Sequence, residues 1–161
     1  MSNNTLEHDK EIIYTADLQP VLTRLVQIEK WSNKDALEAI KQYRNYLFLR
    51  RKYPGQNLPP SRDVDEAWHA HVLHTKDYRA FCKLAFSHEE DQYLDHHPHL
   101  AKEGSLEKLS GFFEKTQTLY CAEFGEYMYK IQSTNFVEKT LNSLRDGLLA
   151  AFPKLADFAK S

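Results

Sequence analysis

Apolar residues recur at helical intervals along most of the chain. Leu18, Val21, Leu22, Leu25, Val26 and Ile28 predict a first helix, with Pro20 tolerated near its start. Ser32 suits the N-cap of a second helix over 33–52. Asp35 and Glu38 lie in its early turns, where carboxylates favour the dipole. Its apolar stripe runs Ala36, Ile40, Tyr43, Leu47, with Tyr46 and Phe48 beside it. Pro54-Gly55 stops it, and Pro59-Pro60 closes the following loop. Asp63 and Glu66 match a capping box, with Ser61 as an alternative cap, so a third helix is expected over 62–86.

An acidic, His-rich stretch with weak periodicity follows over 87–104. A fourth helix is expected over 105–131, and a last one from about Thr134. In that last helix Val137, Leu141, Leu144, Leu148, Ala151, Leu155 and Phe158 step by four and three, and Pro153 ends or kinks it. No run shows two-residue alternation with turn chemistry. The pattern predicts an all-α fold, a single-domain bundle of about five helices. Residues 1–133 are expected to form the helical domain, and 134–161 an amphipathic helix packed on it.

Composition narrows the function classes. The chain has 161 residues, with 21 Lys plus Arg against 23 Asp plus Glu. That length suits one domain. The near-neutral balance argues against nucleic-acid binding through a broad basic face. Lys41, Arg44, Arg50, Arg51 and Lys52 form a basic run, read here as the solvated edge of the second helix. No apolar stretch approaches the roughly 20 residues of a membrane span. The polar N-terminus has no hydrophobic signal core, and Cys82 and Cys121 are too few for a disulfide framework. A cytoplasmic protein with two reduced thiols is expected.

Histidine stands out most. Seven of the eight histidines fall between 69 and 99. On the third helix Val64, Trp68, His71, Thr75, Tyr78 and Cys82 share a mostly apolar stripe, so His71 should be buried and need a hydrogen-bond partner or a metal. Asp65 and His69 are spaced i, i+4 on a neighbouring face, a spacing that suits one metal or a direct pair. His69 and His71 are about 200° apart on an ideal helix, which opposes their sharing one ion.

Pro60-Ser61, Val64-Asp65, Trp68-His69-Ala70-His71, Leu73, Thr75, Tyr78 and Cys82 resemble the signature of the glycine-rich-domain-containing-protein-like family. Tyr93-Leu94-Asp95-His96-His97-Pro98-His99 stands where bacterial members carry a His-x-Pro-aromatic stretch, which places His96 on the family histidine. Phe113, Thr116, Leu119-Tyr120 and Phe124-Gly125 resemble its closing pattern. His99 replaces the usual aromatic, and the glycine-rich tract is absent.

Two functions are weighed. One is a metal site on Asp65, His69 and His96, with His71 as a further candidate, between the third helix and the acidic loop. Zinc or iron suits such ligands, and an open position would permit hydrolytic or oxygen chemistry without establishing an enzyme. The other is a protein–protein interaction module in which the histidines form a structural hydrogen-bond network. Its partner, or a second copy in a homodimer, would use the C-terminal helix.

Overall fold

The computed structural model describes residues 3–87, 93–95, 106–128 and 131. All but Ile131 lie in one compact unit, Met1–Lys130. The fold is all-α. Among the described residues there are six helices and no strand: α1 Asn3–Thr15, α2 Gln19–Gln27, α3 Asn33–Lys52, α4 Arg62–Leu73, α5 Thr75–Ala85 and α6 Leu106–Phe124. The expected helix over 134–161 lies outside the described residues.

The core is organised around α3, against which α1, α2, α4 and α6 all pack. Ser32 caps α3, its Oγ accepting the Asp35 N–H at 3.1 Å. The helix ends as expected: the Tyr53 N–H returns to the Leu49 carbonyl, and Gly55 takes a φ of +71° that a side chain would disfavour. Its interior buries Ala36, Ala39, Tyr43, Tyr46, Leu47, Phe48 and Leu49, so its apolar stripe is far wider than one amphipathic face.

Four departures from the sequence pattern have clear causes. α1 was not anticipated because its residues are mostly polar. It is held from outside by α3: Arg51 pairs with Asp9 at 2.6 Å, both side chains buried, and Arg44 donates to the Ile13 and Ala16 carbonyls at 2.5 and 2.7 Å. These contacts correct the reading of Arg44 and Arg51 as a solvated edge. Arg44 supplies donors to carbonyls that the end of α1 leaves unpaired.

The single helix expected over 62–86 is two helices. The backbone leaves α geometry at His74, whose N–H bonds three residues back to the His71 carbonyl at 3.0 Å. The cap of α4 is Ser61, whose Oγ accepts the Val64 N–H at 3.3 Å, so Asp63 lies inside the first turn and is buried. Finally, α6 stops at Phe124 and not near 131. Gly125 adopts a φ of +72°, and Gln117 then clasps Met128 through its N–H and carbonyl at 2.9 and 2.7 Å.

Candidate functional site

Across the break at His74, α5 packs beside α4, and aromatic side chains from α3 and α5 gather around His71 of α4. The Tyr43 hydroxyl lies 3.0 Å from His71 Nδ1. The Tyr43 and Tyr78 rings meet the imidazole edge-on, with centroids 5.9 and 4.9 Å away, and the Phe81 ring lies 5.3 Å away. His71 is 2% exposed. Burial, reinforced by the neighbouring His74, holds its pKa down to about 4, so the ring is neutral at pH 7. Burial pushes the Tyr43 hydroxyl well above its ordinary value as well, so this hydrogen bond joins two neutral groups.

A second chain of hydrogen bonds runs beside it. The Trp68 indole N–H donates to the Tyr78 hydroxyl at 2.8 Å, and that hydroxyl donates to the Leu94 carbonyl at 2.5 Å. Tyr78 is wholly buried, and burial raises its pKa far above the usual phenol range. Tyr93 packs edge-on to Tyr78 at 5.3 Å. The short stretch 93–95 is thus fastened to α5 through Tyr78, which Trp68 links to α4. Tyr46 closes the other side: its ring lies 5.6 Å from Trp68, and its hydroxyl donates to the Leu58 carbonyl at 2.8 Å. Burial pushes the Tyr46 pKa up to about 12. Cys82 is buried among these groups, and its thiol is pushed up by burial, which opposes nucleophilic use.

The expected metal ligands fare differently from one another. His71 is buried, with Nδ1 taken by Tyr43. His69 is exposed on the other side of α4, as the 200° separation requires, and Asp65 is half-buried. His96 lies outside the described residues, as do His88, His97 and His99. Among the described residues, no group of three or more His, Cys, Asp or Glu side chains comes together in a way that would hold a metal ion. The picture of a histidine cluster serving zinc or iron therefore has no support there.

Of the stripe expected on one helix, Val64, Trp68, His71, Tyr78 and Cys82 are buried, but they lie on two helices, α4 and α5, and Thr75 is exposed. The sequence did not indicate that Tyr43 is the partner of His71, although Tyr43 stood on the predicted stripe of its own helix. The role of the Leu94 carbonyl carries no side-chain signal at all.

A model of the UCP032817-like family matches residues 8–145, most of the chain. This corrects the resemblance to the glycine-rich-domain-containing-protein-like family: the Trp-His-x-His block and its neighbours belong to a different family pattern. No match is found among curated proteins or among solved structures. No helix among the described residues is long and apolar enough to cross a membrane.

Proposed function

The chain belongs to the UCP032817-like family, and we propose that it works as a helical binding module in which the Trp68-His69-Ala70-His71 block serves the fold. The observation that carries this reading is the Tyr43–His71 contact. A neutral imidazole, enclosed by three aromatic rings and hydrogen-bonded at Nδ1, is a core residue with its polar need met. The neighbouring Trp68–Tyr78–Leu94 chain favours the same reading, because it uses the block to seat the segment after α5. In this reading the partner surface includes the stretch from Thr134 onward, whose four-three apolar stripe needs a cover.

The rival is zinc or iron held by Asp65, His69 and His96, and its support is the i, i+4 spacing of the first two on one partly exposed face of α4. Metal analysis of tag-free protein decides between them. The binding-module reading expects equally little metal in the wild type and in a His69→Ala, His96→Ala double variant. Stoichiometric zinc or iron that disappears in the double variant overturns it. A chain truncated before Thr134 should stay folded and lose self-association or a partner; unfolding of the truncated chain would place that stretch in the core instead.

A further inference from the structure

We infer that the chain pairs with a second copy of itself through α1 and α5, in a two-fold dimer where the acidic strip of each α1 meets the basic strip of the other copy's α5. This face is separate from the aromatic core around His71 and does not depend on the binding-module reading.

The two helices pack against each other, and each turns a charged strip to solvent. On α1, Glu7 and Glu11 are exposed and Tyr14 is 37% exposed. The three lie within about 60° of one another on an ideal helix. On α5, Lys76, Arg79 and Lys83 are exposed and span a similar arc of about 60°. Exposed Ala80 and Leu84, the latter 61% exposed, run along its flank. None of these charged side chains joins an ion pair among the described residues, whereas Arg24, Lys41, Lys52 and Arg62 each meet a carboxylate. Lys52 feels Glu7 but is committed to Glu123. Lys10, the one base of α1, is drawn over the Phe48 ring at 5.1 Å. Asp77, the one acid of α5, lies about 100° round the helix from Lys76.

Two features name the partner. The first is spacing. Glu7 and Glu11 are an i, i+4 pair, as are Arg79 and Lys83, so both pairs step about 6 Å along their helices and can meet in register. The second is that opposite signs sit on contacting helices. A nucleic acid or an anionic bilayer would satisfy α5 and be repelled by α1, and the formal charge of −2 adds to that repulsion. A second copy answers both strips at once, and two-fold symmetry makes every contact twice. A single exposed ion pair contributes little. The doubled set, with Tyr14 and Leu84 adding apolar area, gives a dimer held by charge and weakened by salt.

Sedimentation equilibrium of the full chain tests this. The wild type should reach a concentration-dependent dimer that weakens as salt rises from about 0.05 to about 0.5 M. A Glu7→Lys, Glu11→Lys variant and an Arg79→Glu, Lys83→Glu variant should each dimerise at least roughly tenfold more weakly, because like charges then face each other. Mixing the two variants should restore the dimer, since each then offers the other the opposite sign on both helices. If a reversal does not fold, Glu7→Gln, Glu11→Gln and Arg79→Gln, Lys83→Gln replace it, and each should weaken the dimer without repulsion. The proposal is overturned if the wild type stays monomeric at low salt, if it grows into assemblies beyond a dimer, or if the charge variants dimerise like the wild type. It is also overturned if both reversals fold as monomers and their mixture does not associate. Self-association that ignores these variants but disappears on truncation before Thr134 overturns it while leaving the binding-module reading intact.

Discussion

Two buried polar clusters hang on neighbouring faces of α3, and they are built on opposite principles. At Tyr43 the partner is a neutral imidazole, and no formal charge is buried. At Arg51 the partner is the Asp9 carboxylate, and a guanidinium that is 1% exposed meets a carboxylate that is 2% exposed. The neutral cluster joins helices already brought together by aromatic packing. The charged one recruits a helix that has little apolar surface of its own, with Ile13 its principal fully buried apolar side chain. A neutral hydrogen bond is cheap to bury and modest to lose. A buried ion pair is expensive to assemble and severe to break, because the survivor keeps its charge without a partner.

The largest expected effect comes from breaking the charged cluster. Asp9→Ala leaves Arg51 buried without its carboxylate, and should cost about 3–5 kcal/mol in urea unfolding. A loss below about 1 kcal/mol would mean that Arg51 escapes to water and that the two clusters do not differ as described.

Acid distinguishes the neutral cluster. The His71 pKa is held down to about 4 from an ordinary 6.5. Above pH 6.5 the ring is neutral whether the chain is folded or not, and its contribution is intact. Between 6.5 and 4 the unfolded chain binds a proton that the folded chain refuses, so stability is lost as pH falls through that window. The loss should approach about 3 kcal/mol at its lower end. Unfolding at pH 7, 5 and 4 should show a steeper acid loss in the wild type than in His71→Gln. Equal slopes would remove the neutral imidazole from the account.

Tyr43→Phe is milder. It keeps the ring packing and leaves His71 Nδ1 without a partner, for an expected cost of about 1–3 kcal/mol. It also gives a direct reading of that single hydrogen bond when combined with His71→Gln in a double-mutant cycle. The smallest effect belongs to a control outside both clusters. Arg62 meets Glu66 at 3.2 Å on the surface of α4, and Arg62→Ala should change stability by less than about 0.5 kcal/mol.

These contrasts also explain what was readable in the chain. The bounds of α3 followed from Ser32, Pro54 and Gly55, each a local signal with a local cause. The buried face that Trp68 and His71 share on α4 followed from periodicity, whereas the same stripe carried across the His74 break wrongly included the exposed Thr75. The turn after α2 left no such trace: Lys30 takes the left-handed conformation usually given to glycine, with the Trp31 N–H returning to the Leu25 carbonyl at 3.0 Å. The joint at His74 has neither proline nor glycine to mark it. The Asp9–Arg51 pair spans 42 positions, and charge in a sequence reads as exposure until its partner is known. The same is true of the site: the helical face of His71 was legible, while Tyr43 and the Leu94 carbonyl are partners that only the tertiary packing brings near.

The attachment of α1 has a consequence for the order of events in folding. Asp9, Ile13 and Ala16 find their partners on α3 across 28 to 42 positions of chain, after α2 has intervened. Contacts at such separation cost more loop entropy than those between α4 and α5, which a single residue joins. α1 should therefore dock after the transition state, with α3 already formed to receive it. Loosening its two arginine anchors would then leave the refolding rate nearly unchanged and appear as faster unfolding.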